Sequence, residues 1–370
     1  MNKVQNIAFL QLFANGDCLY GTAVAKQIKK DYPGCKLTWI IDEFCKNIIA
    51  GNPFIDKIIV TADVKKNDIV AYRSLKKRIF KEKSEGKWDE VFVATHMDTN
   101  LALYDGTVRG MVYRAYPHPI TVHKTPVVVL SDEEIVEVTL FAETNNLKNF
   151  KNVILWEYAP QSGQSQLDFE FVMKVSLKIT EDPGTCVVLT SGNKFTSSKN
   201  IIDASILTVK QNAALTHYCN LMIGSSSGIT WINTSEAAKF LPMLQLLNYK
   251  TLFLNAPSVD FERFNIKHNG LIEMGTFTEQ SITDCVTQIL KTGFNSAQKY
   301  NQPIPLQFNT TRVIVYNLLV YGEFGAIRKH FKIMTSIYGL DLQFLKAFLG
   351  GFLNAPFKLV GNVWRKKIKK

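Results

Sequence analysis

Long apolar runs are missing from this sequence, and none approaches the ~20 residues that a membrane-spanning helix needs. The first residues lack the layout of a secretory signal and lead straight into an apolar segment. No Cys-x-x-Cys pair occurs among the six cysteines, so buried free thiols are expected instead of a zinc site or a disulfide scaffold. Together these absences predict a globular protein of the cytoplasm.

Two motifs of other enzyme classes are also missing. No Gly-x-Gly-x-x-Gly follows the first predicted strand, which argues against a hydride-transfer enzyme. No Asp-x-Asp stands in a suitable loop, so no metal site for phosphate groups is predicted. The 370 residues are 46% hydrophobic and 20% charged, which is enough for two domains with cores of their own.

Positive charge is concentrated at the carboxyl end of the chain. The formal net charge is +11, and residues 326–370 hold ten Lys or Arg against one acid, Asp341. Within this region, 341–364 repeats apolar residues at helical spacing beside basic ones. Two interpretations stay open: a helix docked on the domains, or an amphipathic anchor on an anionic membrane surface. Nucleic-acid binding is disfavoured because the aromatic residues share an apolar face and form no stacking platform.

Apolar segments alternate with helical patterns through most of the chain, which predicts an α/β fold with parallel, doubly wound sheets. In the first half the predicted elements are strands at 4–13, 36–42, 57–61, 88–96 and 125–130, a helix over 65–84, and a capped helix starting at Ser131. The alternation restarts at Asn152 and becomes wholly helical after about residue 290. We therefore expect domains over 1–148 and 149–292 and a helical, basic extension over 293–370.

The first strand leads into the most informative turn. A run of apolar residues stops at Asn15-Gly16-Asp17, and a helical pattern follows at once. In open α/β sheets such a turn lies at the carboxyl edge of the strand, where ligands bind. Asp17 is then either the N-cap of the helix, a position that Asp favours, or a reactive group directed into a cleft.

Three loops of small polar residues follow predicted strands in the second half. They are Ala159–Ser165, Leu189–Lys194 and the loop Gly224–Thr230. Small residues let backbone amides and hydroxyls approach a diphosphate. Three such loops in successive positions of one domain predict a nucleotide-diphosphate cleft.

Two stretches carry a resemblance to a known family. Asn15-Gly16-Asp17, Tyr32-Pro33 and the segment Gly51–Asp56 resemble the opening of the lipopolysaccharide heptosyltransferase-like glycosyltransferases of family 9. Ala214-Leu215 and Asn220–Gly228 are similar to the donor domain of the same family. Where heptosyltransferases have Asp-Thr/Ser-Gly, this chain has Ser-Ser-Gly, and a glutamine lies near the place of the donor-loop lysine. These departures weigh against ADP-heptose as the donor.

The resemblance implies a GT-B fold, two facing Rossmann-like domains, and transfer of a sugar from a nucleotide-diphosphate donor to a cell-surface glycan. Asp17 would be the catalytic base of an inverting reaction without a metal or another cofactor, and Lys194 would help to stabilise the leaving diphosphate. The predicted acceptor side comprises Asn15, Gly16, His96, Thr99 and Asn100. The predicted donor side comprises Ser162, Gly163, Gln164, Ser165, Gly192, Asn193, Lys194, Ser225, Ser226, Ser227 and Gly228.

Two alternatives remain open at this point. A nucleotide-sugar epimerase of the same build would convert its donor with no acceptor present. A membrane-associated scaffold with a decayed cleft would bind no nucleoside diphosphate.

Overall fold

A computed structural model describes residues 4–160, 164, 167–190, 192–198, 200–305 and 308–353. The strands are β1 Asn6–Leu10, β2 Lys36–Ile41, β3 Lys57–Val60, β4 Glu90–Val93, β5 Asn152–Glu157, β6 Thr185–Thr190, β7 Ile201–Asp203, β8 Leu221–Gly224, β9 Met243–Leu246 and β10 Leu271–Met274. The α-helices are α1 Asn15–Asp31, α2 Lys46–Ile49, α3 Ile69–Ser84, α4 Val108–Arg114, α5 Asp132–Thr144, α6 Phe169–Ile179, α7 Gln211–Leu215, α8 Gly228–Ile232, α9 Pro257–Phe264, α10 Glu279–Thr292, α11 Phe294–Ala297, α12 Asn309–Val320 and α13 Phe324–Tyr338. Residues 342–353 form one further helical stretch.

The strands form two parallel sheets, which confirms the predicted α/β class. The order is β3-β2-β1-β4 in the first sheet and β10-β9-β8-β5-β6-β7 in the second. Most residues of β1, β5, β6 and β8 are buried, because helices cover both faces of each sheet. Apolar runs without polar alternation therefore suit these strands.

The strand predicted at 125–130 is wrong. This segment joins neither sheet. Its backbone finds other partners: the Val127 N–H donates to Thr22 Oγ1 at 2.9 Å, the Asn52 amide donates to the Val127 carbonyl at 3.2 Å, and the Glu236 N–H donates to the Pro126 carbonyl at 3.0 Å. The helix start predicted next to it is confirmed, with a capping box formed by Ser131 and Glu134.

Buried polar contacts join the two halves. The Arg109 guanidinium on α4 lies 2.9 Å from the Asp260 carboxylate on α9, and both side chains are fully buried. Asn255 also spans the junction, donating to Tyr20 Oη at 2.9 Å and accepting from the Val108 N–H at 3.0 Å. These contacts fix how the carboxyl edges of the two sheets lie relative to each other.

The helical carboxyl region packs back on the first half. Ile314 and Leu318 of α12 form a cluster with Leu103 and Met111, and His330 of α13 hydrogen bonds the Ala102 carbonyl at 3.1 Å. Further along, the stretch 342–353 buries its aromatic face: the Phe344 and Phe348 rings lie 5.7 and 4.9 Å from the Phe331 ring. Its Leu342, Leu349 and Leu353 side chains stay exposed. Residues 354–370, and with them most of the predicted basic segment, lie outside the described residues.

All six cysteines are buried and free, as predicted. No helix within the described ranges combines the length and apolar character needed to cross a bilayer. The domain boundaries at 148 and 292 stay predictions.

Candidate active site

Sheet topology indicates where a ligand would bind in each half. The chain runs from β1 outward through β2 to β3, and β4 then pairs with the other side of β1. In the second sheet β5 and β8 have the same relation, with β6 and β7 on one side and β9 and β10 on the other. Ligands of open α/β sheets bind outside the carboxyl ends of the strands at such topological switch points. We call these the β1/β4 and β5/β8 switch points.

Residues from both switch points line one cavity of about 720 Å³. Among the residues predicted from sequence, seven line it: Gly16, Asp17, His96, Gln164, Ser226, Ser227 and Gly228. The two loops meet closely, since a Cβ added to Gly228 would lie 3.0 Å from the Asn15 Cβ. A side chain at position 228 would be crowded against Asn15, so glycine suits this close approach of the loops.

Asp17 is the third residue of α1 and is not its N-cap. Ala14 occupies the N-cap position, and no side chain caps the helix there. The Asp17 carboxylate, largely buried, instead forms an ion pair through Oδ2 with Nδ1 of His96. The structure thus supports the second interpretation of Asp17, a carboxylate placed at the cavity.

The neighbouring strands explain how these two side chains meet. Asp17 follows β1 and His96 follows β4, and β1 and β4 are adjacent and parallel. Thr95 joins the strand ends: its Oγ1 accepts from the Leu12 N–H at 3.1 Å and donates to the Leu10 carbonyl at 3.2 Å. The residue after Thr95 is therefore held beside the first turn of α1.

Electrostatics in this pair favour a protonated imidazole. Burial disfavours the charged form of His96, but the charge of Asp17 and the hydrogen bond to it outweigh burial and raise the pKa of His96 above its usual value. The positive charge of Lys66 opposes that rise. Histidine is the side chain whose ordinary pKa lies closest to physiological pH, so His96 is suited to proton exchange.

Backbone strain is concentrated around the cavity. Six non-glycine residues in the described part of the chain have positive φ, and four of them line the cavity: Ala14, Asn67, Asp98 and Ser226. Alanine and serine adopt this region less readily than asparagine or aspartate. Strain of this kind clusters at functional sites, where the surrounding structure holds it in place.

The polar groups at the β5/β8 switch point are bonded to one another. Ser227 Oγ donates to Glu157 Oε2, and Ser226 Oγ donates to the Asn255 carbonyl. Burial raises the pKa of Glu157 to about 7, against hydrogen bonds from Ser227 and the Thr230 N–H that lower it. The hydroxyls predicted to face a diphosphate are thus bonded within the protein, while residues Ser226–Gly228 line the cavity.

Several predicted site residues lie elsewhere. Gly192, Asn193 and Lys194 follow β6 and do not line the cavity, and Lys194 is exposed. Ser225 is buried behind the loop. Thr99 and Asn100 do not line it either, since the Asn100 amide donates to the carbonyls of Val93 and Thr95 at 2.8 and 3.0 Å. The side chain of Asn15 is likewise absent from the lining. Ser162, Gly163 and Ser165 lie outside the described residues.

Sequence reasoning missed other residues of the cavity. Lys66 and Lys250 line it, and neither ammonium group pairs with a carboxylate among the described residues. Phe253 packs 6.4 Å from the His96 ring, and the α12 face adds Ile314 and Asn317. None of these residues belongs to a local motif, so only the tertiary structure brings them to the site. In the described ranges, no group of three or more His, Cys, Asp or Glu side chains is placed to hold a metal ion.

Comparison with known proteins shows which solved structures share this fold. No protein-family model matches the chain, and no curated protein matches it by sequence. Among solved structures, a glycosyl transferase family 9 protein from Veillonella parvula is similar with a TM-score of 0.53 and 14% identity, covering 91% of this chain and 99% of the other. The ADP-heptose LPS heptosyltransferase II of E. coli is similar with a TM-score of 0.51 and 12% identity, covering 77% of this chain and 98% of the other.

The chain has the fold of the family 9 glycosyltransferases. This confirms the GT-B prediction, in which two parallel α/β sheets present their carboxyl edges to one cleft. Identity of 12–14% over nearly the whole glycosyltransferase fold also fits the predicted divergence from the heptosyltransferases.

Proposed function

We propose that the protein is an inverting glycosyltransferase that moves a sugar from a nucleotide-diphosphate donor to a glycan acceptor. One observation carries the proposal: the contacting Asp17 carboxylate and His96 imidazole, and the Ser226–Gly228 loop, border one cavity from opposite switch points. A group that takes a proton from an acceptor hydroxyl is thereby placed next to a backbone loop suited to a diphosphate.

The donor is assigned to the second half. Backbone amides of Ser227 and Gly228 bind its diphosphate, and Lys250 and Lys66 supply positive charge. Lys194, the cation predicted from sequence, is exposed and does not line the cavity, so Lys250 takes over that role. Two ammonium groups and aligned amides stabilise the leaving diphosphate without a metal ion.

The acceptor is assigned to the first half, in contact with Asp17, His96 and the apolar side chains beside them. We further propose that it is a cell-surface glycan of the lipopolysaccharide or capsule type, reached from the cytoplasmic face of the membrane. The exposed leucines of 342–353, Leu342, Leu349 and Leu353, lie on one stripe of that helical stretch, with Lys346 also exposed. An apolar stripe followed by basic residues suits an anionic lipid surface.

Nucleotide binding and turnover test the enzymatic proposal. Thermal unfolding with ADP, UDP, GDP or CDP should show stabilisation by at least one of them, because a ligand bound only by the folded state raises its stability. The matching nucleotide-sugar should then release nucleoside diphosphate faster when a lipopolysaccharide or capsular oligosaccharide is added. Donor conversion that needs no acceptor would indicate an epimerase, and the absence of binding to all four nucleotides would favour the scaffold.

Vesicle sedimentation tests the membrane proposal. The protein should sediment with phosphatidylglycerol vesicles and not with phosphatidylcholine vesicles. Replacing Leu342, Leu349 and Leu353 by Ser should weaken that binding. Leu177→Ser changes a leucine of similar exposure on α6 and should leave it unchanged. Equal binding by both variants would exclude the leucine stripe as the contact.

A further inference from the structure

We infer that Nε2 of His96 accepts the acceptor proton and that Asp17 acts through His96 as a positioning residue. This assignment rests on the proposed function and changes one part of it, because the resemblance alone implies that the carboxylate of Asp17 is the base. The distinction decides which atom must face the acceptor hydroxyl.

Geometry separates the two ring nitrogens. Nδ1 of His96 is buried and faces the Asp17 carboxylate, while the His96 side chain as a whole keeps 25% exposure and lines the cavity. Because the Nδ1 edge is buried, the exposed part of the ring is its Nε2 edge. The Asp17 side chain is only 8% exposed, and the oxygen that faces His96 is buried. The atom best placed to meet a bound hydroxyl is therefore Nε2.

The chemistry of the pair agrees with this geometry. A carboxylate that accepts the Nδ1 proton holds the ring in the tautomer whose Nε2 carries a lone pair. The acceptor oxygen forms the new bond to the anomeric carbon as the bond from that carbon to the diphosphate oxygen breaks and its electron pair leaves with the diphosphate. The hydroxyl proton moves to Nε2, and Asp17 stabilises the imidazolium so formed. The proton then passes to solvent.

Other charged groups near the His96 ring also influence its protonation. Lys66 precedes α3 and opposes protonation of His96. Asp98 lines the cavity but is occupied by Arg73 and by Lys76, whose Nζ lies 3.6 Å from it. Lys250 enters from the second half. Among these groups, Asp17 is the one that makes a direct contact with the imidazole.

NMR of the ligand-free protein tests the positioning role without any substrate. In protein labelled with ¹⁵N-histidine, the His96 resonance is assigned by its loss in His96→Gln. Neutral His96 should carry its proton on Nδ1, and its pKa should fall in Asp17→Asn because burial then acts without the carboxylate. His123, an exposed histidine bonded to Thr125, should not respond to that substitution. A proton on Nε2, or a His96 pKa unchanged in Asp17→Asn, would overturn the inference.

Turnover measurements test the base itself. With whichever ADP-, UDP-, GDP- or CDP-hexose the wild type turns over, His96→Ala should lose kcat by ~10²–10⁴-fold, the range for a general base, and imidazole in the buffer should restore part of it. The wild-type rate should rise with pH through the pKa of His96, and in Asp17→Asn this rise should move to lower pH. His123→Ala serves as the matched control.

The outcomes separate the two proposals. If the wild type releases no nucleoside diphosphate from any donor, the proposed function fails and this assignment fails with it. If the wild type is active and His96→Ala retains more than about a tenth of the rate, far above the loss expected for a missing base, only the assignment of His96 is overturned.

Discussion

The β1/β4 and β5/β8 switch points have the same topology but opposite chemical states. At the β1/β4 switch point, Asp17 and His96 form an ion pair whose imidazole edge is open to the cavity. At the β5/β8 switch point, Glu157 and the two serine hydroxyls are buried and bonded within the protein. One edge offers a titratable side chain to a ligand, and the other offers backbone.

This difference shows that sheet topology determines where a site lies, while the hydrogen bonds of its side chains determine which groups are available to a ligand. A proton acceptor must stay accessible, so part of the histidine remains exposed at the first edge. A diphosphate cradle needs a rigid backbone, and hydrogen bonds that hold Ser226 at a φ of 56° supply that rigidity. The serine hydroxyls and the Ser226 N–H, which donates to Gln245, hold the loop in shape, so the proposed phosphate contacts fall to the amides of Ser227 and Gly228.

The largest expected effect comes from changing the Asp17–His96 pair at the β1/β4 switch point. Asp17→Asn alone should reduce kcat by ~10²–10⁴-fold, because the imidazole loses the group that orients it and stabilises its charge. The double variant Asp17→Asn/His96→Ala should be about as slow as His96→Ala, since residues that act as a unit do not add. Steady-state kinetics on the four proteins measure the coupling. Asp42→Asn, at a half-buried aspartate after β2 that does not line the cavity, should be near wild type. Losses that simply add would mean that Asp17 and His96 act independently.

A second prediction concerns the contact that holds the two edges face to face. Arg109→Met should lower the free energy of unfolding by ~3–5 kcal/mol, because it leaves the Asp260 carboxylate buried and unpaired. Arg109→Met/Asp260→Leu should recover much of that loss. Arg78→Met removes an exposed arginine that lies 3.5 Å from Asp63 and should change stability by less than ~1 kcal/mol. Urea unfolding measures all three, and equal losses in Arg78→Met and Arg109→Met would contradict the argument.

Part of this site could be predicted from sequence. The contacts that could not be predicted depend on tertiary structure. Apolar runs that end in Asn15-Gly16-Asp17 and in Ser225–Gly228 predict both loops, because local composition determines strand, turn and helix start. The pairing of β1 with β4 depends on the whole sheet, so the contact of Asp17 with His96 has no local signal. The sequence predicts a role for Lys194 from its place after a strand, but that strand, β6, lies one strand away from the switch point, and Lys250 lines the cavity instead.

A third prediction concerns Glu157, the buried carboxyl group at the β5/β8 switch point. The pKa of Glu157 is raised to about 7 in the folded protein, so its contribution to stability is present at low pH and is lost as pH rises through about 7. Glu157→Gln mimics the protonated form and should be more stable than wild type above that pH by up to ~3 kcal/mol, with little difference at pH 4. Chemical unfolding of both proteins from pH 4 to 8 measures this. A constant difference across the range would mean that Glu157 does not titrate in folding.

The smallest predicted effect tests whether the charge of Lys250, in addition to the Ser226–Gly228 backbone, contributes to the proposed binding of a diphosphate. Lys250→Ala should weaken binding of the stabilising nucleoside diphosphate by about tenfold, or ~1.4 kcal/mol, because the cation is exposed at the cavity and partly screened by solvent. Lys267→Ala removes an exposed lysine away from the cavity and should not change the affinity. Calorimetry at low and high salt should show the difference between Lys250→Ala and wild type shrinking as salt rises. A loss for Lys250→Ala that is independent of salt would assign Lys250 a structural role, and the diphosphate would then be held by the Ser226–Gly228 backbone alone.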